Sequence, residues 1–375
     1  MSHPITQIFF WVSAGIIVYT YLIYPVLLLF LRLFVHHPIR KEPIEPMVSI
    51  LVPAYNEADV IEAKIKNLRS LDYPKSRLDV VIASDGSTDA TAEIAQHHSD
   101  GTRFRTLDYK ENLGKIGVLN ASVPELAGEI VVFSDASAML EEKAIRQLVA
   151  NFADPEVGAV SGIYRVVKAS EAHLGRAEDF YWKYETFLKT QESELGCVVG
   201  GHGQILAIRK ALYPFPDPGI INDDYVIPLR ILKMGHRVVY EPKAIAREVA
   251  EEMTGFNRRI RVMAGNIQQL REIRELLWPP RLFPLFVFIS HKVLRLVVPF
   301  AMATLVICNL LLLRQPIYAR LGLLQLCFYL LAVAGGWRNL HPKILQVPHY
   351  FCMINAAGFV AMYKFLLGYR KVAWK

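Results

Sequence analysis

Two long apolar stretches bracket a segment of mixed polarity, and this arrangement constrains the chain more than any other feature. From Ile8 to about Phe34 the sequence is almost wholly apolar, with Arg32 near its end. The run exceeds the roughly 20 residues a helix needs to cross a hydrocarbon core. It lacks the short core and small-residue cleavage site of a signal peptide, so a retained transmembrane helix is expected. Apolarity returns beyond Leu282. Leu296–Leu313 and Ile317–Gly336 read as spans, and Val347–Leu367 is a third candidate interrupted by Lys364. Leu282–Arg295 carries His291, Lys292 and Arg295 among Phe and Leu, which suits a helix lying in the interface.

Composition agrees with this division. Hydrophobic residues make up 53% of the 375, too many for an ordinary soluble enzyme, yet 21% are charged. A water-facing domain with flanking spans accounts for both figures. The expected units are a membrane helix over 1–35, a cytoplasmic domain over 36–280, and an interfacial helix with membrane helices over 281–375. The net charge of +7 carries no zinc-finger, homeodomain or RNA-binding signature, so nucleic acid is not an expected partner. Lys and Arg beside anionic membrane lipids, or on a pyrophosphate, account for it equally well. Positive-inside counting puts Arg32, the linker His36 to Pro46 and Arg281 in the cytoplasm. One span before the domain and three after it would strand Arg370, Lys371 and Lys375 outside. Either Val347–Leu367 does not cross, or Leu282–Arg295 inserts. Cys197, Cys308, Cys327 and Cys352 have no metal spacing, and three lie in apolar stretches as small hydrophobes.

Within the water-facing segment, β-branched runs alternate with helical patterns. Val48–Val52, Asp79–Ser84 and Glu129–Ser134 read as strands. Val60, Ile61, Ile65 and Leu68 follow the first at helical spacing, Thr88–His97 the second and Glu142–Phe152 the third. That alternation predicts an α/β domain with a largely parallel sheet. Ligands bind beyond the carboxyl ends of such strands. Those ends read Pro53-Ala54-Tyr55-Asn56-Glu57, Asp85-Gly86-Ser87-Thr88-Asp89 and Asp135-Ala136-Ser137. Alone, the second is a good turn with a helix cap. Beside the other two it places an aromatic ring and several carboxylates in one crevice.

With these motifs in order, the chain resembles the family 2 glycosyltransferases of GT-A fold, in the membrane-integrated branch that includes hyaluronan, chitin and cellulose synthases. The resemblance runs from about Val48 to Gln269. It rests on VSILVPAYNE, SDGSTDAT, NLGKIGVLN, FSDAS, GGHGQILAIRKALY, NDDYVIPLRILKMGHRVVYEP and FNRRIRVMAGN. It implies a Rossmann-like nucleotide-diphospho-sugar transferase domain, α/β in class, with flanking transmembrane helices. It also implies a nucleotide-sugar donor, a UDP-sugar by family habit, held by Pro53, Tyr55, Glu57, Asp85, Lys115, Arg258 and Arg261. Tyr55 would pack on the base and Asp85 would accept from base or ribose. Arg258 and Arg261 would fork onto the pyrophosphate. Asp135, with Ser137 in the place of the usual second acid, would hold Mg²⁺ or Mn²⁺. Asp224 would be the general base of an inverting attack, with Asp223 as the alternative.

Three departures qualify the resemblance. Ser137 leaves Asp135 as the lone carboxylate of its motif, Val262 replaces the expected Trp, and Arg258 replaces the expected Gln. The lost Trp puts processive synthesis in doubt and keeps single addition to a lipid carrier open. Arg258, Arg259 and Arg261 also fit a membrane-surface basic patch, and Asp223 and Asp224 a solvated turn. His202, lacking a second ligand at helical spacing, is expected to line the acceptor side rather than bind metal. Tyr181, Trp182 and Tyr184 serve packing or sugar stacking. The expected partners are a glycan, polyprenyl or glycolipid acceptor, membrane lipids, and export or assembly subunits, at a bacterial inner membrane. The competing reading is a non-catalytic nucleotide-sugar- or lipid-binding subunit. A dinucleotide oxidoreductase is excluded because PAYNEAD stands where G-x-G-x-x-G would be.

Overall fold

The computed structural model describes residues 4–167, 175–249, 255–270, 281–336 and 343–367. A membrane-type helix, α1 (Pro4–Leu31), leads into an extended linker and then the α/β domain. Eight strands form one sheet among these residues: β1 (Val48–Ala54), β2 (Leu78–Asp85), β3 (Phe104–Tyr109), β4 (Ile130–Phe133), β5 (Met139–Leu140), β6 (Val157–Val167), β7 (Leu206–Arg209) and β8 (Arg237–Val249). Their order is β3-β2-β1-β4-β7-β6-β8-β5.

The sheet expected to be largely parallel is so only over β3-β2-β1-β4. There β7 runs antiparallel to both β4 and β6, while β6 and β8 pair parallel. The sheet is therefore mixed. The connection out of β6 passes through a 20-residue helix that reaches the membrane side before β7 re-enters in the opposite sense.

Strand periodicity builds two cores. Val48, Ile50, Val52 and Ala54 face one side, Leu51, Val81, Ala83, Val131 and Phe133 the other, as alternation on a pleat requires. With both faces covered, β1 and β2 read as continuous apolar runs. On the first face pack α2 (Ala58–Arg69), through Ile61, Ile65 and Leu68; then, beyond α3 (Thr91–His97) and α4 (Gly114–Ser122), α5 (Ala144–Val149). On the second face pack Ile116, Val118 and Leu119 of α4. They are joined, past α6 (Gly175–Glu194), by Ile227, Leu229, Ile231 and Leu232 of α7 (Asp223–Lys233).

Beyond α8 (Gly255–Gln269), α9 (Leu282–Leu312) is one continuous helix of 31 residues. The separate interfacial helix expected over Leu282–Arg295 is its first part, a correction with a clear cause. Val287 and Phe288 are buried in the second core of the α/β domain. His291 and Arg295 bond carboxylates of α6. Helices α1, α9 and α10 (Pro316–Gly335) are long and apolar enough to cross a membrane. The last, α11 (Lys343–Leu366), is not among these three. Its Ala357 and Ala361 pack with Ile260 and Ile267 of α8 and Leu296 of α9. Of the cysteines expected to be buried, Cys308 is and Cys327 is exposed on α10.

Two single π-turns, Tyr19–Ile23 in α1 and Ile289–Val293 in α9, lie against each other, with Tyr19 Oη 2.9 Å from Ser290 Oγ. Such turns re-aim side chains along an otherwise regular helix. Here they accompany the contacts of His291 and Arg295 with α6.

Candidate active site

The carboxyl ends of β1, β2 and β4 open into one crevice. After β1, Asn56 takes a left-handed backbone (φ 53°) and its Oδ1 accepts the Thr88 N–H at 2.8 Å. The Glu57 and Ala58 N–H groups donate to Thr91 Oγ1 (2.8 Å) and Asp89 Oδ2 (3.1 Å). The acidic turn after β2 therefore caps two helices, Asp89 Oδ2 taking the Ala58 N–H of α2 and Asp89 Oδ1 the Thr91 N–H that opens the helix after its own strand, at 3.0 Å. Pro53 is buried in β1 beside Ala83 of β2. Tyr55 and Glu57 are partly buried at the rim.

Asp85 is set apart from that capping role. It is wholly buried, and its Oδ1 accepts the Leu113 N–H at 2.6 Å. Oδ2 is buried with no hydrogen-bond partner. Burial pushes its carboxyl up, against the N–H groups of Leu113 and Gly114 that pull it down. Gly86 is needed beside it, because at φ 65° a Cβ would come within 2.8 Å of Asn112 N. An orphaned acceptor at a strand end suits a ligand that brings donors.

Lys115, at the start of α4, joins the third strand end to the start of α7. Its Nζ lies 2.8 Å from Asp135 Oδ1 and 3.2 Å from Asp223 Oδ2. Burial acts to lower its pKa, but Asp135 and Asp223 hold it well above the usual lysine range. Asp224, one residue further into α7, is raised to about 6, first by burial and then by Asp223, with Lys115 and Lys189 opposing. The glycine-rich loop before β7 closes this space. A Cβ at Gly203 would meet Lys115 Nζ at 3.2 Å, Asp224 Cβ at 3.7 Å and Asp135 Oδ2 at 3.9 Å. Asp135, Lys115, Asp223 and Asp224 therefore surround one point. The Gly201 N–H donates to the Asp224 carbonyl at 2.7 Å, fixing that loop to α7.

Several participants come from outside the recognised motifs. Ser137 Oγ bonds Glu248 of β8, a carboxylate 111 residues away. Lys64 of α2 is fully buried beneath the same loop, donating to Ser134 Oγ at 2.7 Å and to the Ala138 carbonyl. Burial lowers it to about 7, against the pull of Asp135 and Glu248. Its place was readable in part, since Lys64 lies on the apolar face three residues from Ile61 and four from Leu68. Nothing local marks Glu248. Among the described residues no three His, Cys, Asp or Glu side chains gather as a metal cluster. The hard oxygen donors at hand are Asp135, Ser137 and Glu248.

Asn222 docks α8 onto the carboxylates. It precedes α7, and its Nδ2 donates to the Val262 carbonyl (3.2 Å) and to Asn266 Oδ1 (3.1 Å). Gly265 allows the approach, since a Cβ there would stand 2.4 Å from Asn222 Cγ. Arg261 is partly buried on α8. Arg258 is on the same helix, but its side chain lies outside the described residues. Arg259 is turned towards α11, where it bonds Tyr350 Oη and stacks on that ring at 4.4 Å. On the other flank His202 is buried, 3.1 Å from Tyr240 Oη and 5.4 Å from the Trp182 ring. Burial and Lys189 hold His202 well below its usual pKa. Tyr184 packs on α1, donating to the Tyr21 carbonyl at 3.1 Å.

Similarity to known proteins follows the same division. Residues 49–213 match the family described as glycosyl transferase family 2. Poly-beta-1,6-N-acetyl-D-glucosamine synthase of Staphylococcus aureus is 27% identical over 255 residues, 66% of this chain and 61% of that protein. Its Staphylococcus epidermidis counterpart is 26% identical over 239 residues, 62% of this chain and 57% of that protein. This chain thus matches about three fifths of the length of these relatives. The solved structure of a mannosyltransferase from Pyrobaculum calidifontis, in complex with GDP-Man and Mn²⁺, superimposes with a TM-score of 0.72. It is 24% identical, and the match covers 96% of this chain and 99% of that one. The strand order, the crevice at the strand ends and the family match over residues 49–213 have one common source: this chain carries a glycosyl transferase family 2 domain of GT-A fold, flanked by helices that can cross a membrane.

Proposed function

We propose that the protein transfers a sugar, with inversion, from a nucleoside diphosphate donor to a hydroxyl of a glycan or lipid-linked acceptor at the cytoplasmic face of a membrane. The observation that carries this reading is the placement of Asp224. It is a carboxyl near pKa 6 at the mouth of a crevice, and Lys115, Asp135 and Asp223 converge there. A base poised near neutrality can take a hydroxyl proton and still be ionised at working pH. Asp85 would take donors of the nucleobase or ribose, with Tyr55 against the ring and Pro53 and Glu57 shaping the loop. Lys115 would turn from Asp135 towards the diphosphate, joined from α8 by Arg258 and Arg261.

A divalent cation fits the donor set. Asp135 already attracts a cationic group, and Ser137 brings Glu248 to its side. Asp135, with Ser137 or diphosphate oxygens, would hold Mg²⁺ or Mn²⁺, which neutralises charge on the leaving diphosphate. Uridine diphosphate is our reading of the nucleotide. The relatives that make an N-acetylglucosamine polymer favour polysaccharide or glycolipid assembly, with export or assembly subunits as partners. An α11 that does not cross places the basic C-terminus on the domain's side, as positive-inside counting prefers for a bacterial inner membrane.

The test is nucleoside diphosphate release by the detergent-purified full chain, offered a panel of UDP- and GDP-sugars with Mg²⁺ or Mn²⁺. Release with one donor is expected. Asp224→Asn should keep donor binding and lose at least about a hundredfold in rate. Turnover by that variant near the parent's rate would remove Asp224 as the base. No release with any donor, with membrane lipid extract supplied, would favour a non-catalytic binding subunit.

A further inference from the structure

The loop that carries Asp135 is pinned at both of its ends. Lys64, wholly buried in α2, donates to Ser134 Oγ at 2.7 Å and to the Ala138 carbonyl. Ser134 Oγ in turn donates to the Gln204 carbonyl at 3.0 Å, in the glycine-rich loop. The Ala138 N–H closes the turn on the Asp135 carbonyl at 3.2 Å. The backbone of the turn is therefore set, and residue 137 has a fixed reach. Serine there brings one neutral hydroxyl. A divalent cation at a diphosphate takes one or two carboxylates, and a hydroxyl does not supply that charge.

A second strand delivers a carboxylate to the same place. β5, which follows the loop directly, pairs antiparallel with β8, Met139 opposite Arg247 and Leu140 opposite Ala246. That register carries Glu248 alongside the loop, and alternation along β8 sorts the side chains. Ala246 packs in the first core with Ile61 and Ile65, which flank Lys64 on α2. Arg247 turns the other way and bonds Glu141 at 2.9 Å. Glu248 shares the face of Ala246, and its Oε1 accepts the hydroxyl of Ser137. The ammonium of Lys64 is drawn by Asp135 and Glu248 alike, so both carboxylates stand around one turn. An aspartate at position 137 would extend into the space that Glu248 now fills.

We infer that Glu248 is the second carboxylate of the divalent-cation site, oriented by Ser137 and acting together with Asp135. The inference rests on the transferase reading above and deepens it by naming a ligand that the Asp135-Ala136-Ser137 motif lacks. Ser137 then works through Glu248: its hydroxyl donates to one carboxylate oxygen and fixes the direction of the other. The site draws on β8 as well as on the end of β4, and its integrity depends on the pairing of β5 with β8.

The experiment titrates Mn²⁺ into the detergent-purified full chain with UDP or GDP present, and follows free Mn²⁺ by its paramagnetic resonance signal. Glu248→Gln keeps a hydrogen-bond partner for Ser137 and removes the charge. It is expected to weaken Mn²⁺ binding at least about tenfold, the lower end of what loss of even a supporting group around a metal costs. Nucleotide affinity in metal-free buffer should stay at the parent's value, which reports a folded domain. Ser137→Ala leaves the carboxylate in place and should cost less than Glu248→Gln. Ser137→Asp, added to Glu248→Gln, supplies a carboxylate from the motif itself and should recover most of the lost affinity. A larger loss from Ser137→Ala than from Glu248→Gln overturns the inference, because the hydroxyl would then be the ligand. A loss in Glu248→Gln that Ser137→Asp does not recover also overturns it, leaving Glu248 a prop for the loop. Mn²⁺ held by Glu248→Gln as tightly as by the parent defeats this inference alone. A parent protein that binds no Mn²⁺ with either nucleotide, by contrast, defeats the cation-dependent transferase reading on which it stands.

Discussion

Asp224 combines two properties that pull in opposite directions. Its carboxyl is raised to about 6 by burial and by Asp223, above the roughly 3.9 of an unfolded aspartate. Between these values the folded chain binds more protons than the unfolded one, so this group's contribution to stability falls as pH rises from about 4 to 6. At neutral pH its charge therefore costs the fold roughly 2–3 kcal/mol, an order-of-magnitude figure from the same linkage. Two outcomes follow for one variant. Asp224→Asn should melt higher than the parent at pH 7.5 and by a smaller margin at pH 4.5, measured by thermal unfolding. In the parent, kcat/KM for the acceptor should climb tenfold per pH unit below about 6 and level above it, since only the ionised form accepts a proton. A flat profile between pH 5 and 7 would reassign the base.

Between α7 and α8 the contact is narrow and specific. Asn222 reaches into α8 at the one place where Gly265 leaves room. Gly265→Ala must lift α8 away from the carboxylates, and Arg261 moves with it. The expected result is about a tenfold weaker donor affinity, a loss near 1.4 kcal/mol, with far smaller change in acceptor KM. Titration of donor into the purified variant checks this. The same contact explains what could be read from the chain. The ends of β1, β2 and β4 were legible as a group because each strand is a short apolar run closed by its own acidic turn. β3 (FRTLDY) is not, being polar and half-exposed at the sheet edge. Lys189 and Glu248 reach the crevice from distant segments, and side chains that meet only through tertiary packing leave no local pattern. The antiparallel β7 was hidden for a similar reason, since direction is set by where α6 leads the chain.

Across the whole molecule the division between domain and membrane part is less sharp than the hydropathy suggests. If α1, α9 and α10 cross and α11 does not, a reporter fused after Lys375 should lie on the same side as one inserted in the linker at His36 to Pro46. Protease protection in sealed vesicles reads this directly, and opposite sides would mean that α11 also spans. The packing of Val287 and Phe288 into the core that also holds Leu51, Val131 and Ile231 carries a further consequence. As the chain leaves the ribosome, β1 through α8 emerge with a gap that only the opening turns of α9 can close. The catalytic domain thus reaches its final packing no sooner than the next span begins to enter the bilayer, so insertion acts as the timer for the domain's maturation.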